Sequence, residues 1–121
     1  MTQHKEVNKV WGKEIWITNR DYCGKKLILK EGCQCSMHHH KNKDETFYIL
    51  SGKVLMEAGK EKRIMLSGDS ILIMPNTKHR FTGLKDSEIM EFSTHHEDSD
   101  SYREEGMLSG KVDITKLELP R

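Results

Sequence analysis

The chain has 121 residues, enough for one domain whose core folds without disulfide help. Charged side chains make up 32% and hydrophobic ones 35%, with a formal net charge of +1, which excludes the basic excess of a nucleic-acid binder and the polybasic face of a membrane-surface protein. The longest apolar runs, such as residues 71–74, fall far short of the roughly 20 residues of a membrane span, and residues 1–6 hold no signal-peptide core.

The first alternating segments, residues 10–17 and 26–30, predict strands. Farther on, turn signals at Ser51-Gly52, Gly59-Lys60 and Ser67-Gly68-Asp69 separate residues 46–50, 53–58, 61–66 and 70–74. Short strands at such regular intervals predict a β-meander that closes into a sandwich or small barrel. Residues 88–93 predict the last barrel strand, and no amphipathic helix is expected; residues 98–106 suit a short turn. The tail, 99–121, is polar, with Val112, Ile114, Leu117 and Leu119 to dock it as a strap. The expected organisation is one domain over 1–121, with an N-terminal strand arm at about 7–20, a barrel at about 24–95 and a strap at about 96–121. Cys23, Cys33 and Cys35 form an odd set, and the last two are too close for an easy mutual bridge. Reduced thiols and a cytoplasmic location are therefore expected.

Between Gly32 and Gly52 stand His38, His40 and Glu45. Side chains alternate along a strand, so His38 and His40 share a face, His39 points away, and a carboxylate returning on the next strand can meet the pair. Residues 68–83 read as a strand, a tight turn at Met74-Pro75-Asn76, and a second strand opening with His79. Three imidazoles and one carboxylate suit one divalent transition metal, such as iron, manganese, zinc or nickel. Cys33 and Cys35 offer a rival thiolate site, but on an unbroken strand their odd positions send them to the face opposite His38 and His40, so packing or surface thiols are expected. With Glu45 and His79 inward, Phe47, Ile49 and Phe81 also face in and make one half of a pocket apolar. On the last strand either Ile89, Glu91 and Ser93 or Met90 and Phe92 can face inward; an inward Glu91 is a candidate general base. Arg80, with Lys41 and Arg103, is a candidate for binding a phosphate or carboxylate at the mouth. Lys30, Tyr48 and His95 are weaker candidates.

At these residues the chain resembles the cupin superfamily, whose first motif has the form glycine, five residues, His-x-His, three or four residues, Glu, six residues, Gly. That motif matches at every position. The second motif departs at Met74, where a proline is usual, at Asn76, which replaces a glycine, and at Gly83, where asparagine is common. Asparagine tolerates positive φ, so the turn survives. Trp11-Gly12-Lys13-Glu14 resembles the opening segment of cupins related to the mannose-6-phosphate isomerase C-terminal domain, and residues 91–103 resemble the segment after the last strand in small cupins of sugar and capsule biosynthesis. The resemblance spans residues 10–103. It implies an all-β double-stranded β-helix, the jelly-roll barrel, with His38, His40, Glu45 and His79 on the metal. It further implies a sugar or sugar phosphate as the small-molecule substrate of an isomerase or epimerase, with Glu91 as the pocket base. An iron-dependent dioxygenase, using the same four ligands, and a non-enzymatic sugar- or effector-binding module are the alternatives. A homodimer is expected, partly from the family and partly because small barrels leave sheet edges to cover; residues 11–17 could exchange between subunits.

Overall fold

The computed structural model describes residues 4–120. Its chain runs β1 (Lys5–Lys9), β2 (Gly12–Asn19), β3 (Tyr22–Leu29), β4 (Cys33–Gln34), β5 (His38–His39), β6 (Glu45–Ser51), β7 (Lys53–Ala58), β8 (Glu61–Leu66), β9 (Ser70–Ile73), β10 (His79–Gly83) and β11 (Ser87–Thr94). A 3-10 turn at Asp98–Asp100, two short strands, β12 (Tyr102–Arg103) and β13 (Gly110–Lys111), and a second 3-10 turn at Ile114–Lys116 complete it. Among the described residues no helix is long and apolar enough to cross a membrane.

The strands form two antiparallel sheets. One has the order β1-β2-β3-β11-β6-β9; the other has the order β12-β5-β10-β4-β13, with β7 on the free side of β10 and β8 beyond it. Alternation sets what each strand buries. On β6, Glu45, Phe47 and Ile49 are buried while Tyr48 and Leu50 are exposed, so one face enters the barrel and the other meets solvent. Leu27, Leu29, Ile49, Val54, Met56 and Ile89 are at most 1% exposed and fill the space between the sheets. The resulting fold is the all-β jelly roll.

One local expectation changes. The single strand expected over residues 10–17 is interrupted at once: Val10 and Trp11 turn the chain, and β2 starts at Gly12 after pairing back onto β1, Lys9 opposite Gly12. Trp11 is then free to bury its ring, which meets Phe81 edge to face at 5.1 Å. Gly12 to Trp16 pair with β1 on one side and β3 on the other.

Gly52, between β6 and β7, adopts φ 94°, and a Cβ there would run into the Asp86 carbonyl and the Ser87 hydroxyl. Gly68, at φ 92°, has open space around it. Gly52→Ala should therefore cost backbone strain plus a clash, on the order of 3 kcal/mol, and Gly68→Ala strain alone, about 1 kcal/mol. Urea denaturation of both variants checks this, and equal losses would contradict it.

Candidate metal centre

The centre forms where the two sheets meet at one mouth of the barrel. β5 and β10 pair with His38 opposite His79, which brings their ring centroids to 4.3 Å; the His40 ring lies 5.0 Å from His38 and 5.4 Å from His79. One ring nitrogen from each histidine lies within 4.8 Å of the other two. Their other nitrogens are committed. His38 Nδ1 donates to the Ser36 carbonyl at 2.7 Å, His40 Nδ1 to the Asp100 carbonyl at 2.8 Å, and His79 Nδ1 to the Thr77 carbonyl at 2.9 Å. A carbonyl can only accept, so each Nδ1 carries a proton, and it is Nε2 that is left to act as a ligand atom. Burial and the neighbouring His79 lower the His38 pKa to about 3, and burial together with the Lys43 ammonium lowers that of His40 to about 4. Both rings are neutral at pH 7.

Glu45, at the start of β6, closes the group: its Oε2 lies 3.3 Å from Nε2 of both His40 and His79. Among the described residues neither Glu45 Oε2 nor His79 Nε2 has a hydrogen-bond partner, although both are buried. Both atoms have lost their water with no hydrogen bond in exchange, which is costly. A cation between them would give each a partner. Three imidazoles and a carboxylate fit a first-row divalent ion, and the Nδ1–carbonyl bonds are the outer-shell support that such ligands use.

Two further devices hold the ligands. Asn76 takes φ 68° in the turn before β10, and its N–H donates to the His40 carbonyl at 2.6 Å, which pins that turn to the end of the His38–His40 segment. Asp100, in the 3-10 turn after β11, receives the backbone N–H groups of Lys41, Asn42 and Lys43 on its carboxylate at 2.9 to 3.3 Å. Burial alone would raise its pKa, but these three donors outweigh it and hold the carboxyl below the usual range. Asp100 thus clamps the loop between His40 and Glu45 with its side chain and orients His40 with its carbonyl.

The centre opens into a cavity of about 660 Å³. Trp11, Phe47 and Phe81 supply its apolar wall, and Glu91, Lys43 and Lys25 its polar one. Glu91 faces inward because β11 lies between β3 and β6 with Ile89 opposite Leu27 and Ile49, and Glu91 opposite Lys25 and Phe47; Phe92 on the outer face is 52% exposed. Lys43 Nζ donates to Glu91 Oε2 at 3.1 Å and to His96 Nδ1 at 3.0 Å, and lies 3.7 Å from Glu45 Oε1. His96 must then carry its proton on Nε2, which donates to Asp98 at 2.8 Å. Burial alone would lower the Lys43 pKa, but the Glu91 and Glu45 carboxylates raise it above its usual value. Burial alone would raise that of Glu91, but the Lys43 and Lys25 ammoniums bring it below the usual value, so Glu91 is ionised at neutral pH.

The other candidate residues are distributed as follows. Phe47 and Phe81 line the cavity; Ile49 is fully buried in the core instead. Arg80 does not reach the cavity. On β10 it alternates with His79 and Phe81 and pairs outside the barrel with Glu57 through two hydrogen bonds of 3.1 and 3.2 Å. Lys30, Lys41, Tyr48 and His95 are exposed, and Arg103 lies on the cavity rim. His39 points away from the centre and stacks on Tyr102 at 5.2 Å. The strand carrying Cys33 breaks after Gln34 and resumes at His38, so parity is lost across residues 35–37. Cys35 consequently shares the cavity wall with His38, contrary to the opposite-face expectation. Burial raises its pKa to about 12, and its Sγ accepts the Phe81 N–H at 3.3 Å, so it is a protonated packing thiol. Lys25, Lys43, His96 and Asp100 were not anticipated. Lys25 had a readable signal, since it shares strand parity with Cys23, Leu27 and Leu29; Asp100 had none, because its role depends on contacts across about 60 residues.

Two antiparallel sheets rolled together, with three histidines turned toward one point at the mouth, define a jelly-roll protein with a candidate metal centre. Residues 26–95, more than half of the chain, match the family model described as Cupin domain, and the chain belongs to the cupin family. It is 27% identical over 121 residues to the mannose-1-phosphate guanylyltransferase RfbM of Salmonella typhimurium, an alignment covering 96% of this chain and 22% of that protein. The chain thus spans about a fifth of that relative. Among solved structures, KdgF from Halomonas sp. superposes with TM-score 0.72 at 20% identity, over 81% of this chain and 90% of that one. Streptomyces PAC13 with uridine superposes with TM-score 0.74 at 14% identity, over 96% and 98%.

The depressed histidine pKa values carry a stability consequence for metal-free protein. Unfolded chain binds protons on His38 and His40 below about pH 6.5, where the folded state keeps both rings neutral. Their contribution is therefore complete above pH 6.5 and is lost as pH falls through about 4 to 3. Urea midpoints of metal-free protein should drop between pH 7 and pH 4.5, with a shallower drop in His38→Gln. An equal slope in the variant would contradict the assignment.

Proposed function

We propose that the chain is a metal-dependent enzyme acting on a sugar or sugar phosphate as an isomerase or epimerase. The observation that carries this reading is the placement of an ionised, buried carboxylate, Glu91, on the same cavity wall as the histidine cluster, hydrogen-bonded to Lys43. His38, His40, His79 and Glu45 would hold the cation. A divalent ion there supplies Lewis acidity, making a hydroxy-carbonyl compound easier to deprotonate beside the carbonyl. Glu91 is the group placed to accept that proton and return it, and Lys43 stabilises its charged form between turnovers. Trp11, Phe47 and Phe81 exclude water from one side of the cavity, which strengthens the electrostatics within it. The relation to a guanylyltransferase named for mannose 1-phosphate supports a sugar phosphate as the ligand class.

The test is a screen of aldose, ketose and sugar-phosphate interconversion by metal-loaded protein, run with and without oxygen. Turnover should persist anaerobically and fall about 100-fold or more in Glu91→Gln, with bound metal unchanged. Turnover that needs oxygen would replace the isomerase with a dioxygenase, and sugar binding without any conversion would replace it with a binding module.

A further inference from the structure

The inward face of the first sheet carries an ordered row of side chains running away from the histidine cluster. The strand registers place Phe47 opposite Glu91, Glu91 opposite Lys25, Lys25 opposite Trp16 and Trp16 opposite Lys5. Phe47 marks the metal end, its ring 6.0 Å from that of His79. Neighbouring strands are about 4.8 Å apart, so Lys25 stands roughly 10 Å from Phe47 along the row, with Glu91 between them.

Lys25 is the anomaly in this row. It is 1% exposed and lines the cavity, yet among the described residues its ammonium makes one hydrogen bond, to Glu14 Oε1, at the long distance of 3.5 Å. That oxygen already accepts the Trp16 Nε1–H at 2.9 Å, and the second Glu14 oxygen lies 3.8 Å from Lys9. The indole of Trp16 takes the Lys25 charge on its face at 4.1 Å and that of Lys5 at 4.3 Å. An ammonium has three donors, so one long bond to Glu14 and the indole face leave Lys25 short of acceptors among the described residues, in a buried wall where desolvation is costly. The wider charge distribution points the same way. Among the described residues five cationic side chains, Lys5, Lys9, Lys25, Lys43 and Arg103, line the cavity against four carboxylates, before the charge of any divalent ion is added. Glu14, Glu45, Glu91 and Asp98 each already face a cation or a histidine.

We propose that Lys25, flanked by Trp16 and Lys5, is a binding subsite for the anionic group of the substrate, so that this cavity takes sugars bearing a phosphate or a carboxylate in preference to neutral ones. The inference rests on the cavity being the substrate site. It places the reactive end of the sugar at the histidines, Glu91 at the middle of the row, and the anion at Lys25, an order that matches a sugar with its charge remote from its carbonyl. Trp16 lies beyond Lys25 in the row and backs its ammonium with the ring face. Charge-assisted bonds from a buried ammonium have no water competing for them, which makes discrimination against a neutral analogue strong.

The experiment is calorimetric binding of glucose 6-phosphate, glucuronate, inorganic phosphate and glucose to metal-loaded wild type, Lys25→Met and Lys25→Arg, with metal content measured on each sample. Wild type should prefer at least one anionic sugar over glucose, and Lys25→Met should lower that affinity about tenfold or more while leaving glucose binding and metal content unchanged. Lys25→Arg, which keeps the charge, should retain the preference. Preference for glucose 6-phosphate assigns the anion as phosphate, and preference for glucuronate assigns it as carboxylate. Absence of anionic preference in wild type, or an undiminished preference in Lys25→Met, overturns the subsite while leaving the metal-dependent reading intact. Should Lys25→Met fold poorly, Lys5→Gln at the exposed end of the row provides the second measurement: a twofold or greater loss of anion affinity is expected, and no change overturns the role of the row. Oxygen-dependent turnover with the preference intact would instead overturn the isomerase and leave the subsite standing.

Discussion

Everything at the mouth of this barrel depends on three hydrogen bonds from imidazole Nδ1–H groups to main-chain carbonyls, those of Ser36, Thr77 and Asp100. Each bond places a proton on Nδ1, and together they leave three Nε2 atoms to face a common point. The carbonyls belong to three separate segments: the break between β4 and β5, the turn before β10, and the 3-10 turn after β11. Orientation of the ligands is therefore inseparable from closure of the barrel and from docking of the C-terminal segment. Asp100 makes the coupling most direct, because one residue both aims His40 and gathers the backbone of the Lys41–Lys43 loop.

Around this centre the chain retains charge where packing alone would favour apolar side chains. Lys25, Lys43, Glu45 and Glu91 are each at most 5% exposed. A buried ion pair returns little net stability relative to well-packed hydrophobic residues, since desolvating both partners consumes most of the attraction. Buried ionisable groups that converge on one cavity mark a functional site, and the direction of the shifts fits that role: Glu91 is held ionised and Lys43 protonated. The apolar wall is the complement of this arrangement, lowering the local dielectric in which these charges act.

Much of this was legible in the chain because strand parity and turn chemistry are local rules. Glycine and serine at residues 51–52, 59 and 67–68 bounded β6 to β9 to within a residue, and the spacing of His38, His40 and Glu45 fixed which side chains share a face. Asn76 took the positive φ that the turn before His79 requires. Glu91 was undecided by parity alone, since either face of β11 has apolar residues; its register against Lys25 and Phe47 decided it. Parity failed where strands break. Cys35 reached the cavity because three residues outside any strand separate β4 from β5, and the strand expected from residue 10 begins at Gly12 because residues 10 and 11 turn the chain from β1 into β2, with Trp11 packed on Phe81. Arg80 illustrates the opposite error: a basic residue next to a ligand histidine must face away from it on an unbroken strand. Lys43 and Asp100 act across long sequence separations, which no local rule reports.

The cluster of His38, His40 and His79, closed by Glu45, is a donor set that suits a divalent cation. Elemental analysis of protein purified without chelator and without nickel affinity resin, alongside His79→Ala, tests it most directly. About one iron, manganese, zinc or nickel ion per chain in the wild type and little in the variant is the result expected from this donor set. Absence of metal in the wild type even after reconstitution, or equal content in the two proteins, would contradict it.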